Sequence, residues 1–204
     1  MRDNPELVSV LAGKRSCWPS NLTGIEGCGD FDRAFSAFVT SQGEIVDLNR
    51  QFTFAYPPIE VASVRDLVDR TKPGLILDLH EAQGSKFFMY VNCYEAGVNK
   101  ERDIATAILE AVVERGGELY SLKELTRRWD DPELTKGLEE PVRGVMVGAL
   151  DSVAGGASFL SYCQRYGASF TLETGRWTSL AERVEWHLTG SLGAISEFER
   201  QYET

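Results

Sequence analysis

Apolar residues recur with the spacings of helices and strands from residue 59 onward. The apolar residues that follow residue 59 have helical spacing and predict a helix. This helix must end before Pro73, because proline cannot continue a helix. Its apolar face is formed by Val61, Val64, Leu67 and Val68. A nearly continuous apolar run follows at residues 74–80 and is typical of a central strand covered on both faces. Residues 87–91 predict another strand.

Two further helices carry recognisable end signals. Asn99 can cap a helix that ends at Gly116, and the last helix opens with a capping box formed by Ser179 and Glu182. We expect both helices to bury their apolar stripes: Ile104, Ile108 and Val112 in the first, and Leu180, Val184, Leu188, Leu192 and Ile195 in the last.

The segment between these two helices is less regular. Residues 118–150 contain Pro132 and Pro141 and predict a long excursion over the ligand site. A helix at residues 157–166 then leads into a strand at residues 168–173. Alternating strands and helices predict an α/β fold, and without repeats or linkers we expect one domain over residues 1–204.

The opening of the chain is rich in turn-forming residues. Cys17 and Cys28 flank a loop containing Gly, Pro, Asn and Asp, and could form a disulfide in an oxidising compartment. Free thiols in a reducing cytoplasm are the favoured interpretation, and we expect a cytoplasmic protein. The four cysteines form no C-x-x-C pair, which argues against a cysteine-bound structural zinc.

Composition narrows the classes of partner. The formal net charge is -10 and lysines and arginines form no basic run, so we expect neither nucleic acid nor an anionic membrane surface as a partner. The sequence contains no apolar stretch approaching the ~20 residues that span a bilayer. Residues 1–6 lack the basic region followed by an apolar core that is typical of a secretory signal.

Polar clusters that could carry chemistry occur at residues 47–50, 78–81 and 171–175. His80 and Glu173 each end a predicted strand, where ligand sites of open α/β sheets lie. His80 could bind a metal or be a hydrogen-bonded histidine at a strand end, and Glu173 could act as a general base or pair with Arg176.

The pair Asn49 and Arg50 follows a short strand-like stretch at residues 44–48. The arginine offers a planar fork that matches a carboxylate, and the asparagine adds a directional amide. Asn-Arg pairs also occur on ordinary surfaces, so the dipeptide alone leaves both interpretations open.

Together the three clusters resemble motifs of the zinc carboxypeptidases, in the family's order. Residues 46–52 resemble the Asp-Leu-Asn-Arg-Asn-Phe motif, residues 77–81 the strand with the last zinc ligand, and residues 170–173 the strand with the catalytic glutamate. The succinylglutamate desuccinylase and aspartoacylase branch shares this plan. The resemblance implies a mixed, mostly parallel central sheet with helices on both faces.

The resemblance also implies roles for single residues. Asn49 and Arg50 would hold the free carboxylate of a substrate, His80 would bind zinc, and Glu173 would be general base and then general acid. Arg33 is a candidate for stabilising the oxyanion. The implied function is zinc-dependent hydrolysis of an amide bond, with an N-acyl amino acid hydrolase or a non-catalytic carboxylate-binding protein as alternatives.

The sequence departs from the family in one important respect. The His-x-x-Glu motif that supplies the first two zinc ligands is absent, and the chain contains only two histidines, His80 and His187. We expect a domain without its first strands, weak zinc binding, and a tendency to self-associate. We interpret His187 as a core or interface residue, and Tyr162 and Tyr166 as packing residues.

Overall fold

A computed structural model describes residues 37–39, 45–94, 101–129, 135–148 and 157–202 of the chain. The chain divides into two compact units, Met1–Leu67 with Asp151–Phe159, and Val68–Leu150 with Leu160–Thr204. The single domain expected from the sequence stays a prediction. No helix in the described ranges combines the length and apolar character needed to cross a bilayer.

The first unit contains a small antiparallel strand pair. Strand β1 (Ala37–Val39) pairs with β2 (Ile45–Asp47), and a 3-10 turn at Leu48–Arg50 follows directly. Helix α1 (Ile59–Thr71) ends before Pro73, which confirms the predicted stop. The predicted apolar face of α1 is only partly buried: Val61 and Val68 are buried, whereas Val64 and Leu67 are exposed.

The second unit contains a mixed five-stranded sheet. Its strands are β3 (Leu75–Ala82), β4 (Phe88–Val91), β5 (Glu139–Val142), β6 (Val145–Val147) and β7 (Ala168–Gly175). Their order is β3-β7-β4-β6-β5. β3 and β7 are parallel, as are β4 and β6, while β4–β7 and β5–β6 are antiparallel. The α/β class with a mixed sheet is therefore confirmed.

The described residues 118–129 and 135–148 form regular elements rather than the predicted excursion. This segment contains helix α3 (Leu122–Trp129) and the strands β5 and β6, which extend the sheet beyond β4. Pro141 is tolerated because β5 is the last strand in the described sheet, where a missing amide donor breaks no ladder on its outer side. Strands of four and three residues are also too short to show a clear alternation of side chains.

Helices cover both faces of the sheet, as expected. One apolar cluster joins Met89 and Val91 of β4 to helices α2 (Glu101–Glu114) and α5 (Leu180–Tyr202). The other joins Phe88 and Tyr90 of the same strand to α3, with helix α4 (Phe159–Cys163) contributing Leu160. Successive side chains of a strand point to opposite faces, so β4 holds both clusters together.

Helix α5 buries a different face from the one its leucine stripe predicts. The capping box is present, since Ser179 N–H donates to Glu182 Oε2 at 3.0 Å and Glu182 N–H donates to Ser179 Oγ at 3.3 Å. The residues predicted to face inward are exposed: Leu180, Val184, Leu188, Leu192 and Ile195. Trp186 and Ala194 are buried instead.

Glycines explain why this face packs inward. At Gly193, an added Cβ would lie 2.9 Å from the Ala107 carbonyl oxygen of α2, and at Gly190 it would lie 3.3 Å from the Ile108 Cγ2. Small residues let two helices approach closely, so backbone proximity rather than leucine burial determines how α5 packs. The predicted helix face was wrong because the spacing of large apolar residues gives no information on where glycines allow two helices to approach closely.

Glu101 ties the first turn of α2 to the sheet. Its carboxylate accepts hydrogen bonds from Cys93 N–H at 2.9 Å and from Ser169 N–H at 3.4 Å. Burial raises the pKa of Glu101 to about 6, against the opposing effect of these two bonds. Cys93 and the buried Cys163 are free thiols, whereas Cys17 and Cys28 lie outside the described residues.

Two glycine-to-alanine variants test the close packing of α5. Alanine is favoured over glycine in a helix interior by about 1 kcal/mol, but overpacking costs about 1–3 kcal/mol. G193A should lower the free energy of unfolding because its methyl group meets a backbone oxygen, and G190A should have a smaller effect because it meets methyl groups. Urea unfolding, with the exposed S196A as control, measures both; a stabilising G193A would contradict this packing.

Candidate acid–base site

The parallel pairing of β3 and β7 places His80 beside Glu173. The two residues are direct partners in the register of the pair, and both lie near the C-terminal ends of their strands. Their side chains point to the face covered by α3, because Ala82, two residues after His80, packs in the cluster on that face. The structure therefore brings together two residues that the sequence singled out.

The imidazole of His80 lies between two carboxylates. Its Nε2 is 2.9 Å from Asp78 Oδ2, and its Nδ1 is 3.5 Å from Glu173 Oε1. Asp78 reaches the ring because it precedes His80 by two positions on the same strand. The exposed fractions of the side chains of His80, Asp78 and Glu173 are 33%, 22% and 11%, so the cluster is partly open to solvent.

The two carboxylates determine the charge of the ring. Burial disfavours the charged imidazole, but hydrogen bonds and attraction from Asp78 and Glu173 outweigh burial and raise the pKa of His80 to about 10. At neutral pH the cluster therefore consists of the His80 imidazolium and the two acidic side chains of Asp78 and Glu173. Such a cluster can hold a proton, donate it, or stabilise charge on a nearby ligand.

His187 supports the backbone beneath His80. The His80 carbonyl oxygen can only accept, so His187 Nε2–H donates to it at 3.0 Å, and the Thr174 hydroxyl lies 3.0 Å from the same ring nitrogen. Burial lowers the pKa of His187, so its ring is neutral. We expected a core or interface residue from the sequence; no local pattern could reveal this contact, which joins residues 107 positions apart.

The loop after β7 is fixed closely against β3. Arg176 N–H donates to the Ala82 carbonyl at 2.9 Å, and Trp177 N–H donates to the Gly84 carbonyl at 2.7 Å. A Cβ at Gly175 would lie 2.6 Å from the Gly84 carbonyl oxygen, so this contact requires glycine. The strand end that carries Glu173 is therefore held rigidly.

Asn49 and Arg50 belong to the first unit. Asn49 Oδ1 accepts a hydrogen bond from Phe159 N–H at 2.7 Å, and Arg50 Nη1 donates to the Asn49 carbonyl at 2.7 Å. Arg50 is buried. These contacts give Asn49 a structural role, and the expectation that both residues share a pocket with His80 stays a prediction.

The other residues that the sequence singled out are Arg176, the two tyrosines of the segment before β7, and Arg33. Glu173 makes its ion pair with His80, and no ion pair between it and Arg176 occurs in the described ranges. Tyr162 and Tyr166 both donate their hydroxyl hydrogens to Asp69 Oδ1, at 2.5 and 2.6 Å, which fits a structural role. Arg33 lies outside the described residues.

The described residues do not form a zinc site by themselves. No group of three or more His, Cys, Asp or Glu side chains in these ranges is arranged to hold a metal ion. Catalytic zinc takes three protein ligands, and His80 is the only imidazole whose ring faces this cluster in the described part of the chain. Both of its ring nitrogens already face carboxylates.

Comparisons with known proteins give little further information. No family model matches the chain, and no curated protein matches it. A solved structure from Shewanella amazonensis SB2B, described as a "putative metallopeptidase", is similar at 15% identity and a TM-score of 0.46. The match covers 79% of this chain and 52% of that protein, so the chain spans about half its length. A likeness this distant does not bear on activity.

The charge state of the cluster can be tested by NMR of the two histidines. In metal-free protein without a tag, one ring should titrate near pH 10 and the other should stay neutral at pH 7. D78N should lower the pKa of His80, because only the Glu173 carboxylate then opposes the effect of burial. Long-range ¹H–¹⁵N spectra measure both rings.

The same shift has a consequence for stability. Because the pKa of His80 is raised in the folded state, its stabilising contribution is present below about pH 6.5 and is lost as the pH rises toward about 10. H80Q should lack this part of the pH dependence. Two rings that both titrate near the ordinary value of about 6.5 would contradict the ion-paired cluster.

Proposed function

We propose that this chain carries the acid–base part of an amide-bond hydrolase that acts on a substrate with a free carboxylate, in the manner of a metallocarboxypeptidase. The observation that carries the proposal is the position of Glu173 beside His80, at matched register on two parallel strands. The three motifs that resemble the zinc carboxypeptidases support it from the sequence.

Glu173 performs the proton transfers in this proposal. Its carboxylate is largely shielded from solvent but lies at an open cluster, where a water molecule can approach. It accepts the proton of the water that attacks the amide carbonyl and then delivers a proton to the leaving amine. His80 holds the carboxylate in place at 3.5 Å and offsets its charge.

Arg50 and Asn49 bind the free carboxylate of the substrate in this proposal. The guanidinium offers two parallel N–H donors, which suit a carboxylate better than a single ammonium group does. Asn49 has committed its Oδ1 to Phe159 N–H, so its contribution comes from the amide NH₂ group. Candidate substrates are peptide C-termini, peptidoglycan stem peptides and N-acyl amino acids.

We expect zinc to bind this chain weakly and activity to be low. One imidazole cannot replace the three protein ligands of a catalytic zinc site, and the described residues offer no such group. No step of the proposed proton transfer is therefore assigned to a metal.

A second candidate is a carboxylate-binding protein of the same fold that performs no hydrolysis. It is favoured by the ion pairs that occupy both ring nitrogens of His80, because an imidazolium paired with two carboxylates can stabilise the ends of β3 and β7 without taking part in chemistry. In this case Arg50 would hold the ligand, and Glu173 would have no part in chemistry.

Hydrolysis assays with and without added zinc distinguish the two candidates. N-acetyl amino acids and dipeptides serve as probes, and metal content is measured after dialysis. E173Q should reduce any hydrolysis by about 10²–10⁴-fold, the usual contribution of a general base, while ligand binding persists. R50K should weaken ligand binding, because the ammonium cannot form the bidentate contact.

The controls separate chemistry from folding. Near-UV circular dichroism should be unchanged in E173Q, which keeps the size of the side chain. Hydrolysis that is equally fast in wild type and E173Q would rule out the hydrolase. Tightly held stoichiometric zinc in the purified chain would show that the expected weak binding is wrong.

A further inference from the structure

Strand β3 forms one edge of the described sheet and has an open side. It pairs with β7 in continuous register from Leu75 to Ala82, and no second strand pairs with it within the described ranges. The opposite edge is β5, a strand of four residues that contains Pro141 and has an irregular register. Short, irregular and proline-containing edges resist pairing with another chain, whereas a long regular edge invites it. β3 is therefore the edge that can accept a further strand.

The backbone groups on the open side of β3 can be assigned from those on its paired side. The carbonyl oxygens of Gly74 and Ala82 accept hydrogen bonds from backbone N–H groups of the β7 segment. The direction of the backbone groups alternates along a strand, so the even-numbered residues face β7. The odd-numbered residues of β3 then direct their N–H and C=O groups to the open side. They are Leu75, Leu77, Leu79 and Glu81.

The side chains of these odd-numbered residues point to the face of the sheet that α5 covers. Leu75 and Leu77 pack against the apolar cluster that contains residues of α2 and α5, and Glu81 pairs with Arg183 of α5. Leu79 shares this face, because alternate residues of a strand point the same way. Its side chain is nevertheless 51% exposed. An apolar side chain thus lies uncovered at the open edge, above α5.

The exposed apolar stripe of α5 continues this surface beneath the edge. Helix α5 lies beneath β3 and β7, whereas α2 lies beneath β7, so α2 packs on the side of α5 away from the open edge. Gly193 marks the side that contacts α2. Val184 lies on the opposite side, because the nine residues between these positions make about two and a half turns. The exposed residues of the stripe are Leu180, Val184, Leu188, Leu192 and Ile195.

A second copy of β3 complements this edge in one antiparallel register. In a pair related by a two-fold axis, the residue on the axis lies opposite its own copy. An axis at Asp78 would oppose two carboxylates, and an axis at His80 would oppose two imidazolium rings, which is destabilising. An axis at Leu77 would leave both charged residues without a charged partner across the junction. An axis at Leu79 places Asp78 opposite His80 of the second copy and overlaps residues 76–82.

We propose that the edge of β3 and the exposed stripe of α5 bind a second copy of this chain, with the two β3 strands antiparallel around Leu79. The two five-stranded sheets then form one continuous sheet, and the stripes of the two α5 helices pack against each other beneath the junction. Leu79 becomes buried, and Asp78 and His80 pair across the axis. This inference gives the self-association expected from the sequence a defined surface. It does not depend on the proposed function, because it requires no hydrolysis at Glu173.

Light scattering coupled to size exclusion, over a dilution series, measures the dimer directly. Wild type should have twice the mass of one chain at high concentration and dissociate on dilution. L79K should raise the dissociation constant by about 30-fold or more, the effect of a central interface residue, because it places two ammonium groups at the axis. The matched control is V113K, which introduces a lysine at an exposed apolar position of α2 outside this surface and should leave the dissociation constant unchanged.

Cysteine cross-linking tests the register and does not require L79K to fold. Hydrogen-bonded partners in antiparallel strands have Cα atoms about 5.5 Å apart, within the ~4.4–6.8 Å that a disulfide bridges. Under mild oxidation, L79C should form a disulfide-linked dimer. Wild type, which carries the native cysteines, and V113C should not.

The remaining outcomes contradict the inference in different ways. Wild type that is monomeric at every concentration overturns it, and amide hydrogen exchange then shows what the edge does instead. Protected N–H groups at Leu77 and Leu79 would mean that another segment of the chain covers the edge, whereas fast exchange would mean that the edge stays open. A dimer that persists in L79K and does not cross-link through L79C uses another surface and also overturns the inference.

Discussion

The parallel pairing of β3 with β7 is the constraint on which the candidate site depends. A shift of one residue in this register would turn Glu173 to the opposite face of the sheet and separate it from His80. Close backbone contacts mark both ends of the pair. A Cβ at Gly167 would lie 2.2 Å from the Gly74 carbonyl oxygen, and a Cβ at Gly175 would lie 2.6 Å from the Gly84 carbonyl oxygen. Glycine at both ends therefore helps fix the geometry of the charged groups.

The cluster of Asp78, His80 and Glu173 is compatible with a structural role and with a catalytic role, and the same contacts support both. An imidazolium between Asp78 and Glu173 stabilises the folded strands, because it attracts the carboxylate on each side of it. The same arrangement holds a carboxylate in a fixed orientation at an opening to solvent, as a general base requires. Partial exposure of the cluster favours a role with a ligand, since a purely structural ion pair has no need of access.

The sequence predicted the site residues that lie on regular strands, because each ends an apolar run with a polar side chain. His80 and Glu173 were found in this way, and the structure brings them together. The capping box of α5 and the end of α1 before Pro73 are local signals, and the structure confirms both. By contrast, the inward face of α5 was predicted wrongly, since Gly190 and Gly193 pack closely against α2 while the leucines remain exposed.

Contacts between distant segments could not be predicted. His187 reaches the carbonyl of His80 across a large sequence separation, and the stack of Arg128 on Trp177 joins a helix to the loop after β7. Residues 118–150 were interpreted as an excursion because their strands are short and contain Pro141. Each of these features depends on where the sheet places a segment rather than on the segment's own pattern.

The most direct test is a double-mutant cycle on His80 and Glu173, using the free energies of unfolding of wild type, H80Q, E173Q and the double variant. If the imidazole and the carboxylate interact as the structure shows, the two substitutions should be non-additive by about 0.5–3 kcal/mol. Additivity within about 0.3–0.5 kcal/mol, the behaviour of distant residues, would contradict a shared site.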